Sequence, residues 1–262
     1  MSAIILRGDI VHYEVLGRGR PIIFLHSWIG SWRYWVPSMQ AASNLHRTYA
    51  LDFWGYGDTA KNPKRYSLDE QVELLRSFLV EMGIVKIACI GHGLGAIIAL
   101  LFAEKAPEMV DRIMAISLPS NNGMIDNLLE EETRSQMIDW LSNDSTIDEI
   151  TFSEVDKADP QAHLEILENL QNIDLNSLTR RVDMPCLRVY GYKDQTTQTT
   201  EDGILNPPQN HVHTIIFEES GHFPMLDQAS KFHRLMVRFL ALNSGESPKN
   251  LLLKDKWTRR VR

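Results

Sequence analysis

The stretch Ile87-Ala88-Cys89-Ile90-Gly91-His92-Gly93-Leu94-Gly95-Ala96 opens on four apolar residues, turns through alternate glycines and continues as an apolar run to Glu104. A short apolar run bounded by glycines and followed by a longer one reads as a buried strand, a sharp turn and a helix. The spacing Gly91, Gly93, Gly95 has the outline of a nucleophile elbow, G-x-S-x-G. In that motif small flanking residues leave room for a strained turn that pushes the central side chain out of the backbone. Here the centre of the turn is Gly93, which has no side chain to present.

Outward from this segment, short apolar runs recur at Ile10 to Val15, Pro21 to Leu25, Tyr49 to Leu51, Ile113 to Leu118, Cys186 to Tyr190 and Thr214 to Phe217. Between several of them apolar residues return every three or four positions, as at Leu68, Val72, Leu75, Phe78 and Leu79, which is helical spacing. Alternating strands and helices predict an α/β fold with a mostly parallel sheet covered on both faces, because parallel crossovers need long connections. The runs at Ile10 and Pro21 are close in sequence and are expected to form a hairpin. Residues 121–181 break the alternation with Glu, Asp, Asn and Leu and a helical pattern at Leu164, Ile166, Leu167 and Leu170. They read as a helical cap inserted between core segments 1–120 and 182–243, set over the carboxyl ends of the strands, where open sheets bind ligands.

Four further motifs lie in a telling order. Phe24-Leu25-His26-Ser27-Trp28 precedes the elbow, as does Asp52-Phe53-Trp54-Gly55-Tyr56-Gly57-Asp58-Thr59. Gly191-Tyr192-Lys193-Asp194 and then Ser220-Gly221-His222-Phe223-Pro224 follow it. With these residues the chain resembles the α/β-hydrolase family, in particular its compact cap-bearing esterase, lactonase and carbon-carbon hydrolase branch. The resemblance spans nearly the whole chain and implies an eight-stranded sheet. It also implies the order nucleophile, acid, histidine, which here falls on Gly93, Asp194 and His222.

The resemblance assigns further roles. Asp194 orients His222 as a base, since a carboxylate on one ring nitrogen fixes the tautomer and stabilises the imidazolium. The backbone N–H groups of Trp28 and Leu94 form the oxyanion hole, and neither needs a particular side chain. His26, Ser27, Trp32, Trp54, His92 and Phe223 are candidates for the substrate-binding surface, with Tyr34 and Trp35 nearby. Ser27 stands where the family carries glycine, and its hydroxyl is a ligand donor or a displaced nucleophile. His92 reads more as a packing residue. The aromatics suggest an apolar or aromatic small-molecule ligand, though some belong to the core.

Gly93 decides what this site does. Without an Oγ there is no acyl-enzyme, and loss of a triad nucleophile costs about a million-fold in turnover. Glycine also tolerates the left-handed elbow conformation better than serine. Several readings stay open: a hydrolytically degenerate, ligand-binding pseudoenzyme with an incomplete triad, or an enzyme in which the Asp194-His222 dyad acts as a general base without a nucleophile. A serine hydrolase carrying an introduced substitution at position 93 is a third, and a protein-interaction module, which no residue positively supports, a fourth.

The 262 residues are 44% hydrophobic and 23% charged, with a net charge of -7, a balance that excludes disorder and collagen-like structure. The longest apolar stretch, Ala96 to Ala103, falls far short of the ~20 residues that span a bilayer. The first residues lack the pattern of a signal peptide, so the expectation is a cytoplasmic protein. Cys89 and Cys186 each sit in an apolar run and read as small buried hydrophobes; neither metal nor cofactor is expected. A mildly acidic chain offers little attraction to nucleic acid. The basic tail, residues 244–262, interleaves Lys249, Lys254, Lys256, Arg259, Arg260 and Arg262 with Leu251, Leu252, Leu253 and Trp257. Its apolar face is short, which favours docking on its own domain over binding anionic lipid.

Overall fold

The computed structural model describes residues 2–119, 154, 156–194 and 209–251. Eight strands form one sheet: β1 (Ser2–Leu6), β2 (Asp9–Gly17), β3 (Arg20–Leu25), β4 (His46–Leu51), β5 (Ile87–His92), β6 (Val110–Ile116), β7 (Cys186–Gly191) and β8 (Val212–Phe217). Their order across the sheet is β1-β2-β4-β3-β5-β6-β7-β8. The pairs β1–β2 and β2–β4 are antiparallel and the rest parallel. The helices with full described spans are α1 (Val36–Ala42), α2 (Leu68–Glu81), α3 (Leu94–Lys105), α4 (Pro160–Leu170), α5 (Pro224–Asp227) and α6 (Ala229–Leu240). The expected α/β architecture is therefore present.

Local sequence accounts for these elements. All six residues of β5 are buried, as befits a strand in mid-sheet with both faces covered. Nearly every residue of α3 is buried, which explains an apolar composition with no polar face. By contrast α6 buries Phe232, Leu235, Met236, Phe239 and Leu240, a stripe at three- and one-residue steps that lays one face on the sheet. Helix α2 starts at Ser67, whose side chain accepts from the Glu70 N–H; the S-x-x-E spacing marks such a start. Cys89 and Cys186 lie buried in β5 and β7, and burial pushes both thiols up to about 12, so they behave as hydrophobes.

One expectation fails. The runs at Ile10 and Pro21 do not form a hairpin, because both edges of β3 are taken by parallel neighbours, β4 and β5. The hairpin partner of β2 is instead β1, which sequence periodicity missed. Leu6 pairs with Asp9 across the two-residue loop Arg7-Gly8, and both loop residues have positive φ (53° and 92°). That geometry is the tight turn whose twist matches paired strands. Strand β1 is an edge strand: of its short apolar run Ala3 to Leu6 only Leu6 is buried, and Ile5 is 71% exposed.

Of the expected cap, residues 121–153 and 155 lie outside the described residues, as do residues 252–262 of the tail. The described part of 121–181 contains α4, which docks on the segment after β4. Tyr66 Oη donates to Asp159 at 2.7 Å, Asn169 accepts from the Leu68 N–H at 3.1 Å, and Tyr56 Oη meets His163 Nδ1 at 3.1 Å. Arg33 adds an ion pair at 2.7 Å to Glu154, a buried carboxylate also held by Lys157. Among the described residues no helix is long and apolar enough to cross a membrane.

Candidate active site

The residues that follow the carboxyl ends of β3, β5, β6, β7 and β8 converge on one edge of the sheet. Gly93, immediately after β5, has φ 50° and ψ -110°, a conformation that L side chains rarely adopt. Its N–H is held by the Ile116 carbonyl at 2.9 Å, while its own carbonyl accepts from Ala96 and Ile97 in the first turn of α3. Strand, elbow and helix are thus locked together. Leu94 is the first residue of α3, so its N–H has no acceptor within the helix.

Asp194 sits three residues past the end of β7, where its N–H donates to the Gly191 carbonyl at 3.2 Å. His222 follows β8 in a loop pinned by a 2.8 Å hydrogen bond from the Gly221 N–H to Asp227. The two side chains meet with His222 Nδ1 3.0 Å from Asp194 Oδ2, each 1% exposed. A carboxylate accepts only, so Nδ1 carries the proton and Nε2 presents the lone pair. This is the geometry of an oriented base. A solvent-facing loop histidine, the alternative for His222, is excluded by its burial.

His26, a candidate for the ligand surface, and His92, read more as a packing residue, both spend their ring nitrogens on the scaffold. The Ser27 N–H donates to Tyr34 Oη (2.9 Å), Tyr34 meets His92 Nδ1 (3.2 Å), and His92 Nε2 meets the His222 carbonyl (2.9 Å). A carbonyl can only accept, so His92 donates from Nε2 and takes the Tyr34 proton at Nδ1. One continuous chain of hydrogen bonds therefore links the loop after β3, the elbow and the loop after β8. His26 is held at both nitrogens, donating to the Ser27 carbonyl at 2.8 Å and accepting from the Phe53 N–H at 3.1 Å. Both rings are positioning groups whose nitrogens are spent on the protein. Burial holds both below the usual histidine range, His92 well below, where His222 beside it adds to the effect.

These shifts have a pH consequence. A histidine whose folded pKa is depressed contributes stability that is complete above about pH 6.5 and lost as pH falls below it, by up to about 1.4 kcal/mol per pH unit for each group. The melting temperature should drop by several degrees between pH 7 and pH 5, and His92→Gln should make that drop shallower. An unchanged pH slope in His92→Gln would show that His92 does not carry it. His12 works in the opposite sense. Burial would lower its pKa, but the hydrogen bond to Asp52 and neighbouring carboxylates raise it, so its contribution is lost as pH rises.

The aromatics divide. Trp28, Trp35, Tyr34, Trp54 and Phe223 are buried. Trp35 packs on Phe24 and Tyr34, with ring centroids 5.1 and 5.0 Å away, and belongs to the core. Phe223 stacks on His92 and His222 and shields the dyad. Trp54 has its backbone clamped by the Gln71 amide, and Trp32 lies against His12 and under Arg33. The described contacts of these last two are with the scaffold.

Three features escaped the sequence reading. Ser117, a non-glycine residue with φ 46°, donates to the His222 carbonyl at 2.8 Å. The Trp28 indole reaches the elbow. A Cβ at position 93 would stand 3.0 Å from Trp28 Nε1 and 3.1 Å from Ser27 Cβ, and would overlap Ser27 Oγ outright. The Ser27 hydroxyl thus leans over the elbow from the neighbouring loop. Among the described residues neither Ser27 Oγ nor Trp28 Nε1 has a hydrogen-bond partner, and both residues are fully buried.

Among the described residues, one cluster has metal-ligand character: His12, Asp52 and Asp58, with ligand atoms within 4.8 Å of one another. Its oxygens are already engaged. Asp52 accepts from the Trp32 and Asp58 N–H groups and meets His12, while Asp58 pairs with Arg33 and Lys157. It is a lock on the turn after β4.

Comparison with known proteins adds the following. The family model for the alpha/beta hydrolase fold matches residues 20–146. The chain is 26% identical to the dihydrolipoyllysine-residue acetyltransferase component of an acetoin cleaving system from Pseudomonas putida, over 89% of this chain and 67% of that protein. It is 23% identical to a pimeloyl-[acyl-carrier protein] methyl ester esterase from Aliivibrio salmonicida, over 88% of this chain and 95% of that one. An esterase structure from Exiguobacterium antarcticum superposes with a TM-score of 0.77 at 18% identity, covering 90% of this chain and 97% of the other.

Proposed function

Since this chain has the α/β-hydrolase fold, with esterase and hydrolase relatives, we propose that it binds a small, largely apolar ligand at the elbow and does not turn it over through an acyl-enzyme at position 93. One observation carries this reading: the Ser27 hydroxyl fills the space that a side chain at position 93 would need. The family pattern of glycine after the oxyanion-loop histidine and serine at the elbow is exchanged here as a pair, Ser27 against Gly93. A single introduced replacement of an elbow serine would leave Ser27 as an unexplained second departure, so the paired exchange favours a site adapted to work without that nucleophile.

A second reading is favoured by the dyad itself. A buried carboxylate is costly unless paired, and Asp194 and His222 are retained as a hydrogen-bonded pair at 3.0 Å. A general base acting on water or on a substrate proton would make use of it. Aryl-ester and lactone hydrolysis at neutral pH, measured for the chain and for His222→Ala, tests both readings. We expect equal rates within about two-fold. A His222-dependent rate would overturn the degenerate reading, and its survival in Ser27→Ala would establish the general-base one.

A further inference from the structure

We propose that Ser27 Oγ and Trp28 Nε1 form a side-chain clamp for one carboxylate group of an otherwise apolar ligand; this rests on the ligand-binding reading above and names the ligand class. Both atoms border the elbow: Ser27 Oγ occupies the space a Cβ of residue 93 would need, and Trp28 Nε1 lies 3.0 Å from that Cβ position. Both belong to residues with no exposed surface, and neither has a partner among the described residues. Buried polar atoms are nearly always satisfied, so two orphaned donors on adjacent residues beside the elbow mark a place for an acceptor from outside the protein.

Neither atom is loose. The Ser27 backbone is held on both sides, its N–H by Tyr34 and its carbonyl by His26, so the hydroxyl is aimed by the loop. An indole nitrogen only donates, and the hydroxyl is free to donate. The elbow also faces the start of α3, a twelve-residue helix whose first N–H groups have no intrahelical acceptor and whose dipole favours negative charge. The site therefore offers several donors. A carboxylate, with two oxygens and about four lone-pair directions, uses this many; a single ketone or ester carbonyl oxygen does not. The Asp194 charge is engaged on the Nδ1 side of His222. His92 and His26 have both nitrogens occupied and do not compete for the ligand.

The test is isothermal titration of the full chain with acetate, benzoate, phenylacetate and 4-phenylbutyrate, each beside its neutral primary amide. At least one aryl carboxylate should bind at least ten-fold more tightly than its amide. Ser27→Ala and Trp28→Phe should each weaken that carboxylate at least ten-fold while leaving the amide within two-fold. Ser27→Ala removes one oxygen atom and gives an interpretable result if Trp28→Phe fails to fold. Binding of no carboxylate, equal binding of acid and amide, or carboxylate affinity unchanged in Ser27→Ala overturns the clamp. Methyl phenylacetate, assayed in parallel, separates the two claims: its His222-dependent hydrolysis would overturn the degenerate reading, while the clamp stands or falls on the carboxylate titrations.

Discussion

A chain carrying Gly93→Ser together with Ser27→Gly should hydrolyse a short-chain aryl ester at least about 100-fold faster than the parent, and His222→Ala should abolish the gain. The expectation follows from the size of what a nucleophile supplies, about a million-fold in turnover, of which a newly rebuilt site recovers a fraction. The oriented histidine is already in place, with His222 Nδ1 3.0 Å from Asp194. The elbow backbone still holds the left-handed conformation, φ 50°, that a serine there would inherit at a cost of about 1–3 kcal/mol.

Gly93→Ser alone should recover far less. Its Cβ would overlap Ser27 Oγ, and rotating that hydroxyl away still leaves Ser27 Cβ at 3.1 Å. The new side chain therefore competes for space with the old one, and only removing Ser27 makes room. Initial rates with 4-nitrophenyl acetate for the parent, both single variants, the double and the double with His222→Ala form a cycle that measures the coupling. If Gly93→Ser matches the double, positions 27 and 93 are independent and the paired exchange is a coincidence. If neither gains, the retained dyad does not support acyl transfer.

How far the sequence carries the argument differs from part to part, for physical reasons. The parallel strands announce themselves because burial on both faces demands continuous apolar runs, as in β5 and β7. Strand β1 stays hidden because its apolar run is short, its residues alternate between half-buried and exposed up to Leu6, and its tight turn at Arg7-Gly8 is short. Asp194 and His222 are legible because each follows a strand end within a motif, and the fold brings them within hydrogen-bond distance. His26 stands out as a ligand candidate because residue type reveals nothing about what is bonded to each ring nitrogen; here the Ser27 carbonyl and the Phe53 N–H take both, while His92 spends its nitrogens on Tyr34 and the His222 carbonyl, in keeping with a packing role. The meeting of Ser27 with Gly93 lies beyond sequence reading altogether. It depends on the approach of two loops with strands β4 and β5 between them in the chain, and neither motif encodes the side-chain overlap.

Asp52→Ala should lower the melting temperature by about 6–20 °C. Asp52 is fully buried after β4, and its Oδ1 accepts from the Trp32 N–H at 2.8 Å. Its Oδ2 accepts from the Asp58 N–H and meets His12 Nδ1, both at 3.1 Å. Truncation strands two backbone donors and one imidazole, and breaking a buried charged pair in this way costs about 3–5 kcal/mol. At about 2–4 °C per kcal/mol for a domain of this size, the melting shift follows. Asp52→Asn keeps an acceptor for Trp32 but removes the charge that counters burial in raising the His12 pKa. A raised histidine pKa contributes stability that is present below about pH 6.5 and lost as pH rises through the folded value. The gap between parent and Asp52→Asn should therefore be wider at pH 6 than at pH 8. Equal gaps at the two pH values would show that His12 is held by packing alone. The loop that Asp52 anchors continues from Trp32 into Tyr34, which holds both Ser27 and His92. Loss of Asp52 should then reach the elbow through that one tyrosine, weakening ligand binding even where the dyad itself is untouched.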